Sequence, residues 1–265
     1  VGNALDVSDK SDTIIFANYP IRGMYMPDAM ANYTMNGKTY LVTANEGDSR
    51  EYDTYEEEVK LTDGSYNLDP TVFKNFDIMK ISEALGRINI TNASGDKNND
   101  GLFEEIHVFG SRSFSIWDAT TGMILFDSGD DFERITANDP KYKSLFNASN
   151  SNNKYKNRSD NKGPEPEGIT IGKVGEKVFA FITLERAGGL MVYDITDPAN
   201  AAFVNYINNR DLGADEGGDL GPEGIIYLSG NESPIDTGLV IMANEVSATI
   251  SIFKVANDVK VEEPI

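Results

Sequence analysis

Cysteine is absent from the 265 residues of the chain, and histidine occurs once, as His107. Without cysteine the chain forms no disulfide, no zinc–thiolate site and no thiol nucleophile. A single histidine excludes a two-histidine metal site within this chain and argues against a Ser-His-Asp triad, so we expect a structural role for His107. No glycine-rich loop of the P-loop or Rossmann kind is present. The side chains left for metal binding carry oxygen.

Basic residues are also scarce, because 23 Lys and Arg stand against 43 Asp and Glu, for a net charge of -20. Such a surface repels nucleic acid and anionic membranes, and divalent cations are its natural partners. The alternative is that the acidity only confers solubility. No apolar run approaches the roughly 18 residues of a membrane span. The sequence starts at Val1 without a methionine or signal-like segment, so we expect a processed or truncated form.

Short apolar runs alternate with turns rich in glycine, Asn and Asp, a pattern that predicts strands. We expect strands at 13–18, 39–45, 105–110, 113–119, 178–184, 189–195, 238–244 and 249–255. Only 78–86, with an apolar stripe and Gly86 as a stop, is predicted to be helical. Two stretches, at about 50–100 and 138–162, break the rhythm and are interpreted as surface insertions, with disorder as the alternative for 147–162.

One pattern occurs three times, at 26–48, 165–188 and 221–247: a proline and an acid, a strand, a turn, a second apolar strand and a glutamate. The spacing of Pro27 to Glu46 recurs in the second copy, and the third copy has a longer turn, NESPIDTG. Segment 109–129 has a related pattern of turn, strand, aspartate, turn and strand. Units of about 40 residues with three or four strands are typical of propeller blades. The predicted fold is therefore all-β, with 1–265 a single β-propeller domain or part of one.

Stiff loops, GPEPEGI at 163–169 and GPEGI at 221–225, hold the repeated acids. Equivalent positions of successive blades lie side by side around the propeller channel, where carboxylates repel one another unless a cation joins them. The candidates for this ring, as metal ligands or acid–base groups, are Glu46, Glu167, Glu185, Glu223 and Glu245. The alternative is that each glutamate caps backbone amides within its own blade.

A second cation signal is the segment DKNNDGLFEEI, which resembles the first half of a calcium loop. The twelfth position is His107, where an EF-hand needs a bidentate glutamate, so the segment is no EF-hand. The predicted ligands are Asp96, Asn98, Asp100, the Leu102 carbonyl and Glu104 or Glu105. A plain Asx-rich turn is the alternative.

Four arginines stand beside the acidic motifs: Arg50, Arg112, Arg158 and Arg186. They pair with the ring carboxylates or bind an anion such as phosphate. Six glycosylation sequons also occur, at Asn32, Asn89, Asn92, Asn147, Asn157 and Asn231, where this composition yields roughly three by chance. Their number suits an extracellular glycoprotein without establishing one.

Several long motifs resemble the choice-of-anchor I family of secreted bacterial proteins, which is similar to mesenchyme-specific cell-surface glycoproteins associated with biomineralisation. The motifs are TANEGDSREY, LGRINIT, FGSRSFSIWDA, RSDNKGPEPEG, LERAGGLMVYDITDP, GDLGPEGI and ANEVSATISIF. The resemblance covers nearly the whole chain and implies a secreted or cell-surface β-propeller, in a family whose members often carry an alkaline-phosphatase-like label. Because family domains are longer, it also implies that this chain is the C-terminal part of a larger, seven-bladed propeller, whose N-terminal part is a separate chain or has been removed.

Two functions fit these observations. The first is an extracellular calcium-binding scaffold or binding module. The second is a calcium-dependent phosphoesterase, alkaline-phosphatase-like or phytase-like, in which the five ring glutamates hold metal and Arg50, Arg158 or Arg186 binds the phosphate of a phosphorylated ligand. The lack of cysteine argues against the iron-containing, cysteine-ligated phosphatase propellers and leaves calcium as the expected cofactor. A role in mineral formation rests on the resemblance and charge alone.

Overall fold

The structure, a computed structural model, describes residues 3–214 and 216–256, and most of its regular elements are β-strands. The strands are β1 Ile21–Gly23, β2 Ala29–Met35, β3 Lys38–Asn45, β4 Glu51–Tyr52, β5 Tyr55–Glu56, β6 Glu58–Lys60, β7 Asn89–Thr91, β8 Ile106–Val108, β9 Ser113–Asp118, β10 Ile124–Asp127, β11 Pro166–Val174, β12 Lys177–Leu184, β13 Leu190–Asp194, β14 Ala202–Ile207, β15 Pro222–Leu228, β16 Gly238–Asn244 and β17 Thr249–Val255. The helices are α1 Phe76–Met79, α2 Asp131–Asn138 and a 3-10 turn, Lys143–Leu145. None of these helices has the length and apolar character to cross a bilayer.

Three antiparallel sheets form the main body. Sheet A has the order β10-β9-β3-β2, sheet B the order β11-β12-β13-β14, and sheet C the order β15-β16-β17. The strand of each sheet that comes first in the chain lies beside the equivalent strand of the neighbouring sheet. These strands are β2, β11 and β15, and β11 lies between the other two. Within the described residues the three sheets do not close into a ring. The predicted all-β class is therefore confirmed, and each copy of the repeat is an antiparallel hairpin.

Burial of the strands follows from the central position of sheet B. Val42 and Phe114 of sheet A pack with Tyr193 on one face of sheet B, and Phe181 on the other face packs with Phe253 of sheet C. Residues 178–184 of β12 are all buried, because both faces of sheet B are covered. Among the residues that the structure describes, sheet C is covered on one face only, which explains the alternating burial of β17.

The stretch at about 50–100 builds a second apolar cluster of its own. Leu61, Leu85, Ile88 and Ile90 are buried there together with Ile106 of β8. In the stretch 138–162, Leu145, Phe146 and Ala148 are fully buried as well. Both stretches therefore contribute packed side chains in addition to surface.

Seven of the eight predicted strands contain a strand of the structure, and the exception is 13–18. There only Ala17 forms a β-bridge, with Leu5, because the chain passes as an irregular segment without a strand partner. The predicted helix at 78–86 is wrong, since α1 ends at Met79 and the chain turns back on itself. A Cβ at Gly86 would lie 2.2 Å from the Lys80 carbonyl oxygen, so this turn requires glycine. Helix α2 was not predicted, because its apolar stripe is short.

Candidate functional site

The repeat places an acid at two equivalent positions of each sheet. One acid follows a proline at the start of the first strand, or just before it in the first copy, and a glutamate follows the last residue of the second strand. Antiparallel pairing brings those two positions to the same end of the hairpin. Since β2, β11 and β15 are neighbours, the three pairs meet at one end of the sheets. The pairs are Asp28 with Glu46, Glu167 with Glu185, and Glu223 with Glu245.

Backbone hydrogen bonds fix the glutamates that follow the second strands. The Glu185 amide donates to the Glu165 carbonyl at 2.8 Å, and the Glu245 amide donates to the Gly221 carbonyl at 2.7 Å. A bulge follows both Pro166 and Pro222, where the register of the first strand shifts. The second and third copies therefore share one local geometry, as the proline–glycine spacing indicates.

Two groups of carboxylates are close enough to share a cation. Oxygens of Asp28, Glu46 and Glu167 lie within 4.8 Å of one another, as do oxygens of Glu46, Glu165 and Glu185. Glu223 and Glu245 interact directly, and the negative charges of Glu185 and Asp28 act on Glu223. The structure thus brings together the five glutamates that the repeat predicts. We name these five with Asp28 and Glu165 the carboxylate cluster.

The deep half of this cluster is neutralised by basic residues. Glu165 is fully buried and binds Arg158 at 3.0 Å, Lys162 at 3.1 Å and Arg186 at 3.1 Å. Burial alone would raise the pKa of Glu165, but these three cations outweigh it and lower the pKa. Lys162 also binds Glu46.

The shallow half, where Asp28 and Glu245 are exposed, carries more negative charge. Burial, together with the charges of Glu46, Asp28 and Glu185, raises the pKa of Glu167. One of its oxygens, Oε2, is buried and has no hydrogen-bond partner among the described residues. An unpartnered carboxylate oxygen beside other carboxylates is the arrangement that a bound cation would complete.

Other carboxylates of the cluster titrate abnormally for related reasons. Burial and the Glu165 charge raise the pKa of Glu185 to about 7, although Arg186 opposes the shift. The hydrogen bond with Glu245 and partial burial raise the pKa of Glu223. The side chains of Glu46 and Glu185 accept hydrogen bonds from Lys162 and from Asn150, rather than from the backbone amides of the capping alternative. The cluster therefore holds more carboxyl groups than its basic residues neutralise, so that burial and mutual repulsion favour the protonated form of several of them.

The predicted phosphate-binding arginines separate into two sets. Arg158 and Arg186 contact the cluster, and Arg186 also lies 3.2 Å from Glu185. Arg50 instead forms a 2.9 Å ion pair with Glu57, because the β4–β5 hairpin folds the chain back onto it. Arg112 is buried against Glu133 and donates to backbone carbonyls. Only Arg158 and Arg186 are therefore placed to act with the carboxylates.

Three residues of the site escaped the sequence-based prediction: Asp28 and Glu165 of the cluster, and Lys162, which pairs with it. Asp28 follows Pro27 as Glu167 follows Pro166, so the repeat itself contained the signal. Glu165 is the other carboxylate of GPEPEGI, and its positive φ of 55° turns it toward the basic side chains. For Lys162 the sequence held no signal that pairs it with Glu46, because the two residues are 116 positions apart in the chain.

The loop that begins at Asp96 gathers oxygens of Asp96, Asp100 and Glu104 within 4.8 Å. Asp96 accepts the amides of Asp100 and Gly101, as in an Asx-rich turn, so both sequence interpretations fit this backbone. The side-chain amide of Asn98 donates to the carboxylate of Asp100, and the backbone amide of Leu102 donates to the same carboxylate. Of the two glutamates considered for this loop, Glu104 is the one that joins the group.

Glu105 is occupied elsewhere. It pairs with Lys97 at 2.5 Å and Arg22 at 3.1 Å, and these partners and His107 hold the pKa of Glu105 below its usual range. His107 lies between Ser94, at 2.7 Å, and Glu105, at 3.1 Å. The single histidine thus links two loops of the fold, which agrees with a structural role.

Two of the six sequons are closed to modification, because the Asn89 and Asn147 side chains are buried. Asn147 donates hydrogen bonds to Glu133 and Ser159 instead. Glycosylation at these two positions would require the surrounding core to open.

Comparison with known proteins gives two findings. A family model described as the choice-of-anchor I domain matches residues 1–198. Gigasin-3a of Magallana gigas is 28% identical over 186 residues, which cover 64% of this chain and 64% of that relative. The chain thus matches less than two thirds of that relative's length. The family match spans most of the residues that build the carboxylate cluster.

Proposed function

Because the chain belongs to the choice-of-anchor I family, we propose that it is a calcium-binding scaffold or binding module built as a β-propeller. Membership of this family indicates a secreted or cell-surface protein. The proposed calcium site is formed by Asp28, Glu46 and Glu167 of the carboxylate cluster, which supply oxygen ligands.

The observation that carries this proposal is the buried, unpartnered Oε2 of Glu167 beside Asp28 and Glu46. Calcium prefers six to eight oxygen ligands, and the site offers carboxylates without nitrogen or sulfur donors. Lys162 compensates the deeper carboxylates, but among the described contacts no cation reaches Glu167. A divalent ion there would remove the repulsion that raises the pKa of Glu167.

The propeller architecture is supported by how the sheets repeat. Each sheet places its first strand beside that of its neighbour, as blades do around a channel. One face of sheet A is covered by sheet B, and the equivalent face of sheet B is covered by sheet C. The same face of sheet C exposes Ile226, Ile250 and Ile252. We propose that a further blade, from the N-terminal part of the same propeller, covers this face.

A second calcium ion is proposed for the Asp96 loop, with Asp96, Asp100 and Glu104 as carboxylate ligands. Asn98 and the Leu102 carbonyl complete the predicted set, and Glu105 stabilises the loop through Lys97. This ion would have a structural role, because it would tie the loop to the strand that follows.

Calorimetric titration with calcium tests both sites. Glu167→Gln should remove one class of site at neutral pH, and Asp100→Asn should remove the other. The matched control is Glu176→Gln, whose side chain is 98% exposed and which should bind as the wild type does. An unchanged titration in Glu167→Gln would refute the carboxylate cluster as a calcium site.

A calcium-dependent phosphoesterase is the second candidate, favoured by the position of Arg158 and Arg186 beside the carboxylates. Bound calcium would supply charge neutralisation and an acidified water, and the two guanidinium groups would orient a phosphate. Both guanidinium groups are already engaged by Glu165, which is why the scaffold function is better supported.

Hydrolysis of a generic phosphomonoester decides between the two functions. An enzyme should lose its activity on chelation and in the Glu167→Gln, Glu185→Gln double variant. If the wild type is inactive while calcium still raises its melting temperature, the phosphoesterase is excluded and the scaffold function stands.

A further inference from the structure

A cavity of about 260 Å³ opens between the N-terminal segment and sheet A. Its walls come from β1, from the loop before β9 and from the end of β10. None of its lining residues belongs to the carboxylate cluster or to the Asp96 loop. The residues that matter for its chemistry are Leu5, Ala17, Tyr19, Arg22, Tyr25 and Asp127.

The floor of this cavity is apolar. Leu5 and Ala17 are joined by a two-way backbone bridge, with N–O distances of 3.1 and 3.3 Å, and Ile21 lies beside them. Gly23 lets β1 approach closely, since a Cβ there would lie 2.8 Å from the Gly110 carbonyl oxygen. Ala17, from the apolar run at 13–18, thus lines the cavity instead of lying in a strand.

Asp127 is a fixed acceptor in the cavity. Its Oδ2 accepts the hydroxyls of Ser113, at 2.9 Å, and Ser115, at 2.6 Å, and its Oδ1 accepts the Gly129 amide at 2.8 Å. A carboxylate has about four acceptor positions, so these three bonds orient Asp127 and leave capacity for another donor.

Two tyrosines supply aromatic surface and hydroxyl donors. The Tyr25 ring meets Trp117 edge to face, with centroids 5.2 Å apart, and remains part-exposed. Burial and the Asp127 charge raise the pKa of Tyr25, and burial and Asp6 raise that of Tyr19. Both phenols therefore stay protonated at neutral pH and can donate. Arg22 also lines the cavity, and its guanidinium pairs with Glu105 outside it.

From this combination we propose that the cavity binds one hexopyranose unit of a carbohydrate. A pyranose has C–H faces that pack on aromatic and aliphatic side chains, and hydroxyls that donate to a fixed carboxylate such as Asp127. The volume is below the roughly 300–1,000 Å³ of pockets for drug-sized ligands, so it suits a single ring. The carboxylate of Asp127 disfavours anions. The proposal is independent of calcium at the other sites.

Trp117 is the only tryptophan in the chain, and its contact with Tyr25 makes it a reporter. We would titrate the protein, with a calcium chelator present, with glucose, galactose and N-acetylglucosamine up to about 50 mM while following tryptophan emission. At least one sugar should give a saturable change. Tyr25→Ala should weaken binding at least tenfold, and Tyr52→Ala, at an exposed tyrosine outside the cavity, should not change it.

A second variant, Ala17→Phe, fills the cavity and leaves the aromatic contact in place, so it should also abolish the response if circular dichroism shows an unchanged fold. Absence of a saturable change with all three sugars would overturn the proposal. An equal response in Ala17→Phe would also overturn it, as would a response to ethylammonium but to no sugar, which would indicate an amine site.

Discussion

At the residue scale, the carboxylate cluster shows how neighbouring charges divide similar side chains into different roles. Glu165 is the most deeply buried carboxylate of the cluster and is held ionised by Arg158, Lys162 and Arg186. Glu167, two residues on, lacks such partners, so burial and like charges favour its protonated form. Sequence position alone does not distinguish the two glutamates. The two glutamates differ in their basic partners: those of Glu165 come from the chain before β11 and after β12.

The raised pKa values predict how stability depends on pH without calcium. A carboxyl group whose pKa is raised on folding binds its proton more tightly in the folded state, so the free energy of unfolding falls as pH rises from about 4.5 through the folded-state pKa. For Glu185 that window ends at about 7. The calcium-free protein should therefore melt at a lower temperature at pH 8 than at pH 5.

Replacement of Glu167 tests the cause of this pH dependence. Glu167→Gln should raise the calcium-free melting temperature at pH 8 and flatten the pH profile, because the variant removes an unfavourable buried charge. Thermal unfolding followed by circular dichroism measures both effects. Glu176→Gln is the control, and a Glu167→Gln profile as steep as that of the wild type would contradict the assignment.

At the element scale, the approach of β11 to β15 sets the spacing of the cluster. A Cβ at Gly168 would lie 2.0 Å from the Glu223 carbonyl oxygen, so glycine lets the two strands come together. Gly224 occupies the same place in the third copy of the repeat, and a Cβ there would meet Ala243 at an ordinary 3.6 Å. Neither glycine has a positive φ, so the two positions differ only in the space that is available for a Cβ.

Gly168→Ala should consequently destabilise the fold by about 1–3 kcal/mol, because it forces sheets B and C apart. The same substitution at Gly224 should change stability by less than about 0.5 kcal/mol. Urea unfolding of the two variants gives the comparison. If Gly224→Ala proved as costly as Gly168→Ala, the close approach of β11 and β15 would not be what requires the glycine.

At the scale of the whole molecule, the two faces of sheet C differ. The inner face, with Val240 and Phe253, is fully buried against sheet B, whereas Ile226 and Ile250 on the outer face are 53% and 69% exposed. An aliphatic row of this kind on an exposed sheet is typical of an interaction surface.

Substitutions on the two faces of sheet C should therefore differ in their effect on the stability of the fold. Ile250→Ser should leave the melting temperature of the chain within about 2 °C and reduce the binding of a hydrophobic dye such as ANS. Val240→Ala should destabilise the fold by about 2 kcal/mol, because it leaves a cavity between sheets B and C. A large loss of stability in Ile250→Ser would mean that the outer face is already packed within the chain.

The sequence by itself determined the β class, the positions of seven of the strands and the repeated acids, because alternation, turn residues and spacing are local properties of the chain. It also placed two acids in each repeat at one end of a hairpin. Only the tertiary structure decided which charges meet: it brought Lys162 to Glu46, 116 residues away in the chain, and it placed Ala17 of the run at 13–18 in the lining of a cavity beside Asp127. Those outcomes depend on contacts between distant segments, and local sequence pattern does not encode which segment approaches which.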